Sequence, residues 1–268
     1  PLPLPVVFTW GDLDRDGDDD LSHPGHDLWR DGSCPGAPIW RWGNGTLPLC
    51  PECSGGQIAL GDLDGDGDLD VIYGCFQSPY LHLFWNVGTP QVPQWQEDSS
   101  SVQGMGGYFS SPFLADVDDD SDLDMLIVTT SAAVGLYENV GTPQVPVWTS
   151  GAFIPGVTVG SDGPRAVAAD LDGDGDLDMV GADWFSLLKC WENVGTPQQW
   201  AFVRNDAMLT GVDQSTTGWQ IPALPDVDCD GDPDLVIERI DETCVLYMNA
   251  SITPVAPASW GTIKALFR

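Results

Sequence analysis

The chain predicts an all-β fold: a five-bladed β-propeller with four-stranded blades. Three observations carry this expectation. One acidic nine-residue stretch, Asp62-Leu63-Asp64-Gly65-Asp66-Gly67-Asp68-Leu69-Asp70, recurs in near-copies that begin at Asp12, Asp116, Asp170 and Asp226. The starts are spaced by 50, 54, 54 and 56 residues, a blade-like period. The composition, with 31 Gly, 22 Pro and 12 Trp, suits short strands, turns and aromatic packing more than helices.

Within a unit the first strand leads into the acidic loop, as in Pro164 to Ala169, and the second leaves it. Second strands are expected over Leu69 to Tyr73, Leu123 to Thr129, Leu177 to Val180 and Leu235 to Ile240. A third strand ends at an aromatic-x-Asn landmark, as in Ala133 to Tyr137, followed by Asn139. The landmark Asn opens Asn-Val-Gly-Thr-Pro at Asn86, Asn139 and Asn193, with weaker copies at Asn44 and Asn249. The fourth strand starts near a recurrent tryptophan: Trp95, Trp148, Trp200 or Trp260.

The approximate units are 6–55, 56–109, 110–163, 164–219 and 220–268. The 19 residues after Asn249 and the 12 up to Asp12 together make one ordinary landmark-to-loop interval. The two ends are therefore expected to close the ring by pairing, which radial repetition favours because it protects sheet edges. The first unit is irregular and carries His23, His26, Cys34, Cys50 and Cys53.

The formal charge is −32, from 41 acidic and 9 basic side chains. Aspartates at the odd loop positions account for 25 of the acids, so the imbalance is mostly a metal-site signature. Carboxylates packed this densely repel one another unless a cation sits among them, and Ca²⁺ suits many oxygen ligands in a flexible loop. Without a basic patch the chain is not expected to bind nucleic acid. No stretch approaches the ~20 apolar residues of a membrane-spanning helix.

In such loops positions 1, 3, 5 and 9 are expected to give side-chain oxygens. These are Asp12, Asp14, Asp16 and Asp20; Asp62, Asp64, Asp66 and Asp70; Asp116, Asp118, Asp120 and Asp124; Asp170, Asp172, Asp174 and Asp178; Asp226, Asp228, Asp230 and Asp234. Position 7 gives its backbone carbonyl, from Asp18, Asp68, Asp122, Asp176 and Asp232. About five structural Ca²⁺ ions are expected, one per loop. Ser121 stands where the other loops have Gly, so a positive φ there would strain the third site. An EF-hand needs a bidentate Glu at position 12. That position here holds His23, Tyr73, Ile127, Gly181 and Ile237.

These loops, with the apolar strand after each, resemble the FG-GAP/VCBS repeats of integrin-α-like propellers. The resemblance implies a calcium-bearing propeller, usually extracellular, used in adhesion, in ligand or glycan binding, or as a structural module. Integrin heads carry seven blades and this chain shows five units. The Phe-Gly and Gly-Ala-Pro signatures of integrins are mostly missing, so integrin-like ligand binding does not carry over.

Seven cysteines point to an oxidising compartment. Candidate disulfides join Cys34 to Cys50 or Cys53, and Cys229 to Cys244, with Cys190 expected to remain a thiol. Asn44 and Asn249 head glycosylation sequons, although the same Asn recurs without one and first serves a turn. His82 is expected to be structural. Trp29, Trp184 and Trp219 fall off the repeat and are candidates for an exposed contact or sugar-stacking surface.

No nucleophile elbow, zinc-protease helix or phosphate loop is present. The expected function is a non-enzymatic extracellular recognition, adhesion or assembly module. Its expected partners are a glycan, a protein or copies of itself. A lectin, a subunit of an extracellular fibre or surface layer, and a polysaccharide-acting enzyme are the alternatives.

Overall fold

The structure is a computed structural model. It describes residues 9–17, 19–22, 27–31, 40–48, 50, 53, 56–149, 151–185, 187–214, 220–227, 230–239, 244–249 and 260–263. It is all-β, a propeller-like arrangement of four-stranded antiparallel sheets.

Each sheet is built from consecutive strands. The first contains β1 (Thr9–Gly11), β2 (Asp20–Ser22), β3 (Asp27–Asp31) and β4 (Trp40–Thr46). The second contains β5 (Gln57–Gly61), β6 (Asp70–Gly74), β7 (Leu81–Asn86) and β8 (Trp95–Glu97). The third contains β9 (Ser111–Ala115), β10 (Asp124–Val128), β11 (Ala133–Tyr137) and β12 (Ala152–Thr158). The fourth contains β13 (Arg165–Ala169), β14 (Asp178–Ala182), β15 (Lys189–Asn193) and β16 (Phe202–Arg204). The last contains β17 (Gln220–Ala223), β18 (Leu235–Arg239), β19 (Cys244–Asn249) and β20 (Trp260–Ile263).

Hydrophobic clusters fill the gaps between successive sheets. Leu13 and Leu47 of the first pack with Ile58, Val71 and Tyr73 of the second. Ala59 and Ile72 pack with Met125 and Ile127, Leu126 and Val134 with Met179 and Trp191, and Val180 and Cys190 with Leu235 and Ile237. A further cluster brings Trp10 of β1 against Val227, Val236 and Leu246, so the last sheet meets the first. The second strands β6, β10 and β14 are buried along their whole length. That explains their continuous apolar runs, which lack the alternation of a strand with one face in water.

The expected pairing of the two ends falls on residues 1–8, 250–259 and 264–268, which lie outside the described residues. Among the described residues β1 pairs with β2 and β20 with β19, and no strand crosses from one terminal sheet to the other. Among the described residues each sheet is formed by four consecutive strands, and the junction between the last and the first includes the Trp10 packing and a hydrogen bond. In that bond the Asp226 N–H donates to Asp19 Oδ2 at 3.2 Å.

Several boundaries also shift. The position-9 aspartate begins the second strand, as in Gly61 opposite Asp70 and Ala115 opposite Asp124. Asn44 lies in β4, a fourth strand, whereas Asn86, Asn193 and Asn249 each end a third strand. The aromatic-x-Asn match at Asn44 is thus not the same structural position.

The first strands β1, β5, β9, β13 and β17 surround a common cavity of about 210 Å³. The acidic loops follow the ends of these strands, and their first residues lie toward the opposite rim.

Candidate metal centres

Each acidic loop lies between a first and a second strand, and among the described residues its turn is shaped by positive φ at positions 4 and 6. Position 4 is Arg15, Gly65, Asp119 or Gly173, with φ between 60° and 77°. Position 6 is Gly17, Gly67, Gly175 or Gly231 with φ near 95°, and Ser121 with φ 74°. The strain expected at Ser121 is present, because a side chain at left-handed φ crowds its own carbonyl.

These turns aim backbone N–H groups at the first aspartate. Asp116 accepts from Asp120 N and Ser121 N at 3.1 and 2.9 Å, and Asp226 from Asp230 N and Gly231 N at 3.1 and 3.0 Å. The position-9 aspartate is buried and staples two segments. Its Oδ2 accepts from the position-2 N–H, at 2.9 Å for Leu63 to Asp70 and 3.0 Å for Val117 to Asp124. Its Oδ1 accepts from the landmark Asn N–H, at 2.9 Å for Asn86, 2.7 Å for Asn139, 2.8 Å for Asn193 and 2.7 Å for Asn249. The landmark side chains Asn86, Asn139 and Asn193 then accept from the N–H groups two and eight residues on. That is the turn role the recurrence implies. Asn249 is also buried, so a glycan on it would require that turn to open.

The carboxylates converge. Ligand atoms of Asp12, Asp14 and Asp20 lie within 4.8 Å of one another, as do those of Asp62, Asp64 and Asp66. The same holds for Asp116, Asp118 and Asp124, and for Asp170, Asp172 and Asp178. In the fifth loop Asp228 lies outside the described residues, as does Asp18 in the first.

Electrostatics bear on what the clusters could hold. Burial pushes Asp70 up to about 7, Asp124 to about 6 and Asp178 to about 8, against the pull of their backbone N–H donors. Burial, then neighbouring aspartates, raises Asp122 and Asp176 to about 6. Buried oxygens Asp118 Oδ1, Asp122 Oδ1 and Asp176 Oδ1 accept no hydrogen bond. An all-oxygen donor set with orphaned buried acceptors and mutual repulsion fits a hard divalent cation. The position-7 side chains Asp68, Asp122 and Asp176 are also buried, outside the groups of three whose ligand atoms converge.

One set of residues escaped the sequence reading. Gln91, Gln144 and Gln198 each follow the landmark proline and reach the loop of the preceding sheet. Gln91 Nε2 donates to the Asp14 carbonyl at 2.6 Å, and Gln198 Nε2 to the Asp118 carbonyl at 2.9 Å. A Cβ on Gly65 would stand 2.7 Å from Gln144 Nε2, so glycine there leaves room for the same contact. The Trp200 indole N–H donates to the Val117 carbonyl at 3.1 Å, which accounts for one of the recurrent tryptophans. The signal was the Gln repeated after Thr-Pro, whose partner lies about 80 residues away.

Other expectations are revised. Cys53 forms a disulfide with Cys75, a partner brought alongside by the second sheet and outside the expected pairs. Cys190 is a buried thiol against Met208, burial pushing its pKa up. Cys34, Cys229, His23, His26 and Trp219 lie outside the described residues, as do the side chains of Trp29 and Asn44. Trp184 is half-buried and makes edge-to-face contacts with Phe76 and Phe109. His82 Nδ1 lies 2.9 Å from Glu97 Oε1, a cross-strand contact.

Known proteins share parts of this sequence and fold. The chain is 26% identical over 138 residues to cartilage acidic protein 1 of Homo sapiens, covering 48% of this chain and 20% of that protein. The chain thus spans about a fifth of that relative's length. Among solved structures, the Tc holotoxin pore of Photorhabdus luminescens aligns over 97% of this chain and 12% of its own, at 19% identity and a TM-score of 0.45. The V. cholerae biofilm matrix protein Bap1 aligns over 96% of this chain and 36% of its own, at 15% identity and a TM-score of 0.36. The profile of the FG-GAP-like repeat matches residues 62–127, 116–181 and 170–237, most of the chain, and with the hairpin loops in place the protein belongs to the FG-GAP-like repeat family.

Proposed function

We propose that this chain is an extracellular, calcium-loaded, five-bladed β-propeller that acts as a non-enzymatic module for protein recognition or assembly. The convergence of three carboxylates within 4.8 Å in four loops, with buried oxygens that no donor meets, carries the calcium reading. Calcium would be held by the loop aspartates, and bound there it supplies charge neutralisation. Five four-stranded sheets, packed in succession with the last against the first, support a ring of five. The Cys53–Cys75 disulfide and the ion requirement both suit an oxidising, calcium-rich exterior.

A recurrent apolar surface favours protein contact. Val87, Val140 and Val194 follow the landmark Asn and are 58%, 62% and 55% exposed; Val92 and Val145 are exposed as well. These valines stand on the loop rim, because the landmark N–H bonds the position-9 aspartate. Their spacing follows the repeat, so the rim offers a regular partner face whose shape depends on the loops. A sugar-binding reading draws on a different surface, where Tyr80, Tyr108 and Phe185 are exposed.

Analytical sedimentation with a partner or with the protein alone, in calcium and in chelator, tests the proposal. Calcium-dependent association lost when Val87, Val140 and Val194 become Ser is the expected result. Association indifferent to both changes would overturn it. A glycan array that detects binding abolished by loss of Tyr80, Tyr108 and Phe185 would select the lectin instead.

A further inference from the structure

The chain carries few cations, and one of them is buried at the axis. Arg165 opens β13 and is 2% exposed. It lines the axial cavity, where among the described residues it and Asp19 are the charged lining residues. Asp19 is engaged, its Oδ2 accepting from the Asp226 N–H. The guanidinium of Arg165 lies 5.0 Å from the Phe76 ring, and its Nη1 donates to the Pro164 carbonyl at 2.8 Å. Its Nε and Nη2 meet no hydrogen-bond acceptor. Those two atoms form one edge of the guanidinium, the edge that grips a carboxylate through two parallel hydrogen bonds.

The surroundings continue the pattern. Gln57, Ser111 and Arg165 each stand five residues before the first aspartate of their loops, on β5, β9 and β13. All three are buried and line the cavity. The equivalent residue of the last sheet is Ile221, so the polar sector covers one side of the axis. Gln57 Nε2 also lacks an acceptor. A buried guanidinium with two idle donors, in a cavity also lined by an idle amide donor, is costly unless an acceptor fills the space. Burial pulls the Arg165 pKa down to about 9 even though Glu238 on β18 acts the other way.

We propose that the axial cavity is a binding site for a free small monocarboxylate, gripped by the Nε–Nη2 edge of Arg165 with Gln57 Nε2 as a further donor. The cavity of about 210 Å³ exceeds the roughly 30 Å³ of a water and falls below the roughly 300 Å³ where drug-sized pockets begin. Glu238 already offsets part of the charge of Arg165, which favours a monoanion over a phosphate dianion. The apolar remainder, including Ile58, Ala166 and Ile221, suits a short hydrocarbon tail.

Isothermal titration of the calcium-loaded chain with acetate, and with acetamide as its neutral isostere, tests this. Saturable acetate binding is expected, with acetamide weaker by roughly ten-fold or more. Arg165→Lys keeps the charge but loses the fork, and is expected to weaken acetate by roughly ten-fold. Gln57→Leu, which leaves the guanidinium in place, is expected to weaken it by roughly three- to ten-fold and keeps the proposal testable if the Arg165 variant fails to fold. Absence of acetate binding, equal binding of acetamide, tighter binding of inorganic phosphate, or full acetate affinity in either folded variant would each overturn it.

Discussion

The side-chain amide of Gln198 donates to the backbone carbonyl of Asp118 at 2.9 Å, joining the landmark turn of one sheet to the acidic loop of the sheet before it. Gln91 makes the same contact to Asp14. Calcium would therefore organise more than a single hairpin. It would fix the backbone on which the next sheet docks. Gln198→Ala is expected to lower stability by about 1 kcal/mol and to weaken calcium at the third loop. Thermal unfolding in calcium and in chelator measures both. A variant that loses stability equally in the two conditions would show that the contact is uncoupled from the ion.

Removing the ion should cost more than any one contact. A ligand that binds only the folded chain stabilises it by RT ln(1 + [L]/Kd), about 2.7 kcal/mol per site at a hundred-fold excess over Kd. Excess chelator is expected to lower the unfolding temperature by a margin that grows with the calcium originally present. An unchanged midpoint would remove filled sites from the account.

The loop aspartates set a pH dependence with a definite sign. Asp70, Asp124 and Asp178 are pushed up from 3.8 to about 7, 6 and 8, mainly by burial. Their folded forms hold protons more tightly than the unfolded chain does. In chelator their contribution is therefore greatest below pH 3.8 and is lost as pH rises through about 6 to 8. Calcium would reverse the preference, because it would bind the ionised form. Adding it to weakly buffered ion-free protein near neutral pH should release protons, and a pH electrode reads the result. Zero release at pH 7 with full release at pH 5 would contradict the assignment.

Ser121 occupies a left-handed position, φ 74°, that glycine fills in Gly17, Gly67, Gly175 and Gly231. Ser121→Gly is expected to stabilise the chain by roughly 0.5–1 kcal/mol and to tighten the third loop for calcium. Denaturant midpoints and a calcium titration compare the two proteins. A destabilised variant would mean that the Ser side chain makes a contact worth more than the strain.

The repeat, the acidic loops and the landmark turns were legible because each is local. Alternate aspartates, a glycine at position 6 and an aromatic two before an Asn state their geometry within a dozen residues. The first unit misled at Asn44, where the local motif matched but the strand order placed it one strand later. Cys53 pairs with Cys75 because the second sheet brings them together, a fact that spacing does not carry.

Amino-acid order alone determined that this protein is a train of similar β units with dense carboxylate turns. That information lies in short-range periodicity and in the mutual repulsion of neighbouring charges. Tertiary structure decided the Gln-to-loop clamps, the packing of Trp10 that joins the last sheet to the first, and the burial of Arg165 at the axis. Each joins residues far apart in the chain, and such contacts follow from how whole sheets stack, which no local pattern encodes.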